Sequence, residues 1–258
     1  MKNFALSLLA LIAPSLFSGE RTAPKLELDK VKNGIVFFTF DDRNFKGWEK
    51  ALPLFEKYAA YATFLIHGGI DRNAVKYIRL LRKNGHAVGL HSLRHKNAPE
   101  FIKEFGKEKY LEAEILPQLD ACKKAGLEMK FFAYPNNRRT PETDAVLGKY
   151  FQRFRAGCKK PKNVSLLNYK PFFRTIDELK KSPVMPGAGI GSYYKTTPDL
   201  LRKVLAKAAK ENKVIVFFSH DIAPKANSIS MDTAILELCL KEAKKLKMFV
   251  ASFDQIPE

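Results

Sequence analysis

The sequence predicts an α/β fold, a closed or nearly closed barrel of seven or eight parallel strands wrapped by helices. Three observations predict it. Short runs rich in Val, Ile and Phe alternate with amphipathic helical stretches along most of the chain, the pattern of parallel α/β architecture. The runs are apolar throughout rather than alternating, as strands buried on both faces must be. The length, 258 residues, suits one such barrel.

The elements follow in order. Lys2, the uncharged apolar run 4–13 and the small residues of 15–19 form the three regions of an export signal, so 1–19 is expected to be a signal peptide and 20–258 the barrel. The apolar run is too short to span a bilayer, and no cysteine follows it to carry a lipid anchor. Location is therefore expected to be secreted or periplasmic. Strands are predicted over 34–40, 62–67, 87–91, 130–134, 152–155, 214–219 and 249–253, with a weaker one at 172–176. Helices are predicted over 47–58, 73–84, 107–125, 140–149, 197–212 and 232–245. Asp71 or Asn73 can cap one of them. Thr140-Pro141 and Thr197-Pro198 each place a capping Thr before Pro at the first helical position. Gly85 and Gly126 suit left-handed helix ends. The stretch 159–197 carries Pro161, Pro171, Pro183, Pro186 and three glycines, so 182–197 is expected to be an irregular wall of the substrate groove.

Composition narrows the function. The net charge of +18 favours polyanionic partners. Yet the lysines are spread along helical faces, and no nucleic-acid-binding motif is present. With an export signal, nucleic acid is not an expected partner. Cys122, Cys158 and Cys239 are too few and too scattered for a disulfide framework; one bridge or three buried thiols would both fit.

The chemistry gathers at predicted strand ends. Asp41-Asp42 ends the first strand, His91 and His95 follow the third, Tyr134-Pro135 ends the fourth, and His220-Asp221 ends a very apolar one. In a parallel barrel these ends share one face, where active sites form. Two imidazoles and a carboxylate suit a divalent metal with open positions. A second carboxylate can take a proton from water, and a further histidine can protonate a leaving group. Each piece has a plainer reading. Asp-Asp also makes turns and caps, and histidines four apart also occur on ordinary helices. His86 reads as structural, and His67 as packed or groove-lining. Trp48, the single tryptophan, either lines the groove near Asp42 or packs a helix onto the barrel.

Thr39-Phe40-Asp41-Asp42, the run from Gly85 through His91 to His95, Phe132-Ala133-Tyr134-Pro135 and Phe217-Phe218-Ser219-His220-Asp221 together resemble the polysaccharide deacetylase family, also called carbohydrate esterase family four or the nodulation-protein-B-like domain. The motifs stand in the family's order over roughly 34–254. The resemblance implies a distorted (β/α) barrel and a divalent metal, usually zinc, sometimes cobalt or nickel. It implies Asp41 as general base, Asp42, His91 and His95 as metal ligands, His220 as general acid, and the backbone N–H of Asn136 as oxyanion donor. Tyr134, Pro135 and Trp48 are candidate substrate contacts. The implied activity is removal of N-acetyl or O-acetyl groups from a polysaccharide, possibly anionic in view of the net charge, by metal-activated water.

Three departures stand out. The arginine that pairs with the base aspartate in many members is Ala133 here; Arg138, Arg155 or Arg174 could replace it. Asn136-Asn137 stands where an aromatic-glycine pair is frequent, and the family's tryptophan-containing fourth motif has no clear place. Competing expectations are a carbohydrate-binding protein with impaired catalysis, a xylan-type O-acetyl esterase, and a basic adhesion protein.

Overall fold

The structure is a computed structural model and describes residues 21–257. The predicted export signal, 1–19, lies outside the described residues. Seven strands form the barrel wall: β1 (Ile35–Asp42), β2 (Thr63–Ile66), β3 (Ala87–Leu90), β4 (Phe131–Ala133), β5 (Arg153–Gly157), β6 (Val184–Gly189) and β7 (Val214–Ser219). They pair in sequence order, all parallel, and β7 closes back on β1 from Ile35↔Val214 to Phe40↔Ser219. A two-stranded piece, β8 (Ile222–Ala223) with β9 (Met231–Asp232), follows β7. An extra strand, β10 (Phe249–Ala251), pairs with the first half of β1 while β2 pairs with its second half. The barrel is thus distorted: β3 meets β4 only at Leu90↔Phe132, and β10 fills the gap below β2.

Nine helices cover the described barrel: α1 (Phe45–Lys57), α2 (Arg72–Lys83), α3 (Ala98–Phe105), α4 (Lys107–Tyr110), α5 (Leu116–Lys124), α6 (Pro141–Leu147), α7 (Ile176–Lys181), α8 (Pro198–Lys210) and α9 (Thr233–Lys245). Asp71, Thr140 and Thr197 cap α2, α6 and α8 with side-chain oxygens, each accepting a backbone N–H three residues on. Gly85 and Gly126 take left-handed conformations at the ends of α2 and α5, as their positions predict.

Strand alternation sorts the apolar residues into two cores. Ile35 and Phe37 of β1, with Leu65, Phe131, Ala133, Val214 and Val216, fill the barrel interior. Val36, Phe38 and Phe40 point outward and pack beneath the helices with Phe64, Trp48 and Phe55. Phe64 stacks on Phe40 with ring centres 5.4 Å apart and lies 5.0 Å from Trp48. Each buried aromatic of this kind is worth about 1.5–3 kcal/mol. The two-residue period puts Asp41 on the interior face, at the top of the column begun by Ile35 and Phe37.

Two sequence expectations change. The weak strand at 172–176 is a 3-10 turn followed by the cap of α7; a single antiparallel bridge, Arg174↔Val214, is its whole share of pairing. The first half of the expected wall 182–197 is instead β6, a full barrel strand. Pro186 and the glycines disguised it, since both residue types argue against a central strand. The glycines answer to close neighbours. A Cβ on Gly189 would lie 2.5 Å from the Tyr194 ring, and one on Gly187 would lie 3.3 Å from the Phe218 ring. The second half of that stretch does reach the groove, through Tyr193 and Tyr194.

Candidate active site

The C-terminal ends of the strands surround a cavity of about 840 Å³. Asp41, Asp42, His67, His91, His95, Asn136 and His220 all line it. The backbone is bent to present them. Asp42, Ser92, His95, Asn136 and Asn137 all have positive φ, between 54° and 79°. Such non-glycine strain gathers where a site over-determines the chain.

Asp42, His91 and His95 form one donor set: a carboxylate oxygen and two imidazole nitrogens, all within 4.8 Å of one another. His91 Nδ1 lies 2.9 Å from the carbonyl oxygen of Ala133. That carbonyl can only accept, so Nδ1 carries the hydrogen and Nε2 keeps a free lone pair. This lone pair points at His95 Nε2, 3.1 Å away, and Asp42 Oδ1 lies 4.0 Å from it. Burial lowers the pKa of His91 strongly, despite the opposing pull of Asp41, so the ring is a neutral ligand at ordinary pH. The set fits a divalent cation: two imidazole nitrogens and one carboxylate oxygen converge, and the half-buried Asp42 and His95 leave the cavity side open.

The loop carrying the two histidines is anchored from below. Glu114, fully buried in the π-helical turn between α4 and α5, accepts the Arg94 N–H at 2.8 Å, and its own carbonyl accepts that of Leu93. Gln118, one turn on, donates to the carbonyls of Ile66 and Gly68 at the end of β2. Sequence reasoning assigned both residues only to a helix. Their signal was two polar residues four apart that both face the barrel.

Asp41 is 2% exposed, and its Oδ2 is held by the guanidinium of Arg155. Oδ1 has no hydrogen-bond partner among the described residues. Burial pushes the carboxyl up, but Arg155, then His91 and His220, pull harder, and it is held below its ordinary range. Arg155 supplies the cation missing at Ala133, and the register explains how. Ala133 of β4 is the direct partner of Arg155 of β5, so both side chains occupy one level of the barrel interior. The guanidinium also donates to Asn137 Oδ1 and lies over the Phe218 ring at 4.7 Å. Of the other two candidates, Arg174 binds the carbonyls of Val184 and Glu178, and Arg138 stands exposed at the rim.

His220 holds its Nδ1 2.9 Å from the Ile229 carbonyl, which leaves Nε2 for the cavity. Its backbone carbonyl accepts the Trp48 indole N–H at 2.8 Å. Trp48 itself is fully buried. Of its two sequence readings, packing is therefore the one the structure places, with a link to His220, and its ring does not reach the groove. Tyr134 and Pro135 are also buried. The Tyr134 hydroxyl donates to Asp144 at 2.7 Å, tying β4 to α6. Asn136 is exposed, with φ 54°, and no acceptor among the described residues takes its N–H. His67 lines the groove beside His95, with ring centres 5.4 Å apart. His86 lies far below, buried, with Nδ1 accepting the Ala62 N–H at 3.0 Å. All three cysteines are free thiols, Cys122 and Cys239 buried and Cys158 partly so.

Comparison with known proteins points the same way. Residues 29–152 match the family model for polysaccharide deacetylase. An uncharacterized protein of Bacillus subtilis (strain 168), YlxY, is 32% identical over 93 residues, and the match spans 34% of this chain and 26% of that protein. A polysaccharide deacetylase of Bacillus cereus superposes with a TM-score of 0.53 at 18% identity, over 85% of this chain and 92% of that one. The catalytic domain of a peptidoglycan N-acetylglucosamine deacetylase of Eubacterium rectale gives 0.52 at 16%, over 92% and 94%. A family four carbohydrate esterase pseudoenzyme of Bacillus anthracis gives 0.55 at 14%, over 88% and 66%. The barrel therefore has the same fold as solved family four carbohydrate esterases, and residues 29–152 match the polysaccharide deacetylase family model.

Proposed function

We propose that the chain is a divalent-metal-dependent hydrolase that removes acetyl groups, N-acetyl first, from a polysaccharide outside the cytoplasm. One observation carries the reading: Asp41, Asp42, His91, His95, Asn136 and His220 come from four separate strand ends and line a single cavity. Asp42, His91 and His95 would hold the cation. When bound, it supplies Lewis acidity to the acyl oxygen and to a water molecule.

The chain's own residues do the rest. Asp41, kept ionised by Arg155, offers the free Oδ1 to take the proton of the attacking water. The Asn136 N–H donates to the acyl oxygen as negative charge develops on it. His220, fixed through Nδ1 by the Ile229 carbonyl, delivers a proton from Nε2 to the departing amine. Cleavage of an O-acetyl ester would use the same groups, with an alcohol leaving instead.

The rival reading is a binding protein with impaired catalysis, since one neighbour of this fold is a pseudoenzyme. Arg155 weighs against it, because the base aspartate keeps its cation despite Ala133. The test is metal content together with acetate release from fragments of chitin, peptidoglycan, poly-N-acetylglucosamine and xylan. Chelator-sensitive acetate release supports the hydrolase. Glycan binding with no release from any of the four supports the rival.

A further inference from the structure

A second cavity, of about 830 Å³, opens beside the catalytic one. Asn136, Asn137, Arg138, Tyr193, Tyr194 and Phe218 line both. Its far side is built by the segment after β5 and the turn after β6, which bring in Lys159, Lys160, Lys162 and Lys195. With Arg138 these make five cations, and neither Asp nor Glu lines the cavity.

Elsewhere some surface lysines do sit against carboxylates, as in Lys57–Glu237 and Lys180–Asp29. Lys160 is used internally: its ammonium donates to the carbonyls of Pro161 and Val164. Arg138, Lys159, Lys162 and Lys195 are exposed and have no carboxylate partner among the described residues. Like charges held together without an acid repel one another. In a concave site they also focus a positive potential on whatever enters. Tyr193, 70% exposed, stands where the two cavities meet and offers a ring face to a sugar.

We propose that this cavity is a subsite for an anionic group, a carboxylate or a phosphate ester, on a sugar neighbouring the acetylated one. The substrate class is then an acidic glycan. The inference rests on the hydrolase reading for what lies in the adjoining cavity. The charge itself belongs to this chain's own loops.

The test is equilibrium binding to the full chain of three tetrasaccharides: neutral tetra-N-acetylglucosamine, the same tetramer carrying 6-phosphate, and a hyaluronan tetrasaccharide carrying carboxylates. Binding is measured at about 50 mM and about 500 mM salt. A triple variant, Lys159→Gln, Lys162→Gln and Lys195→Gln, is compared with the unchanged chain. An exposed ion pair is worth a factor of roughly 1.4 to 5, so three give a preference of about tenfold for a charged tetramer. That preference is expected to shrink in high salt and in the triple variant. The stronger of the two charged ligands identifies the anionic group. Equal binding of charged and neutral tetramers overturns the proposal, as does a preference that survives the triple substitution. Acetate release from the same tetramers is read in parallel with metal present. Its absence from all three counts against the hydrolase, whereas the binding preference judges the subsite separately.

Discussion

Removing Arg155 should expose how much of the site depends on one guanidinium. Arg155 is 1% exposed and Asp41 2%, so neither charge has water to fall back on. Arg155→Met keeps much of the stem but leaves a buried carboxylate alone. Breaking a buried pair in this way costs about 3–5 kcal/mol. For a domain of this size, that lowers the unfolding midpoint by roughly 6 to 20 °C. The sign of the pH dependence follows. With Arg155 present the folded pKa of Asp41 lies below its ordinary 3.8, so the pair's contribution is complete above that value and is lost as pH falls through the folded pKa. Without Arg155, burial prevails and the folded pKa rises. The ionised form is then penalised, and the deficit grows as pH rises from acid toward neutral. Thermal unfolding in the presence of chelator, from about pH 3 to 7, reads this from protein charges alone. Register adds a rescue: because Ala133 and Arg155 are strand partners, Ala133→Arg in an Arg155→Ala background should recover much of the stability and of the acetate release. A variant lacking Arg155 with the stability of the unchanged chain at every pH would refute the pairing.

Two further outcomes follow from neighbouring elements. His86 has its pKa pushed down to about 3 by burial, helped by Arg21, so the unfolded chain takes up a proton that the folded chain refuses. Stability should fall by up to about 1.4 kcal/mol per pH unit as pH drops from 6.5 toward 3, and denaturant titrations of His86→Gln should lack that part of the slope. Trp48→Phe should lose the hydrogen bond to the His220 carbonyl, costing about 1 kcal/mol of stability on top of the void left by the smaller ring, with kcat lowered and KM unchanged in steady-state kinetics.

Much of the barrel was legible because each strand is an apolar run. Ile35–Asp42 and Val214–Ser219 sit close to where their Val, Ile and Phe residues predict. The site was legible because its residues stand at the ends of those runs. What escaped was local chemistry overridden by tertiary contacts. Val184–Gly189 carries Pro186 and two glycines, residues that argue for a loop until Tyr194 and Arg155 are seen pressed against them. The short helices Ala98–Phe105 and Ile176–Lys181 span too few turns to show a period, although Asn97 and Thr175 cap them. Arg155 could be named only as one of three arginines, because nothing in the sequence states which residues pair across strands. For Trp48 the sequence left groove-lining and packing both open, and burial decides for packing, with the indole N–H supporting the backbone of His220.

The division of labour at the strand ends is tested most directly by Asp41→Asn and His95→Ala, compared for metal stoichiometry and acetate release. Both the unchanged protein and Asp41→Asn are expected to bind one divalent ion per chain, and Asp41→Asn to release no acetate. His95→Ala is expected to lose both the ion and the activity. Acetate release by Asp41→Asn at the unchanged rate, or undiminished metal binding by His95→Ala, would contradict the account.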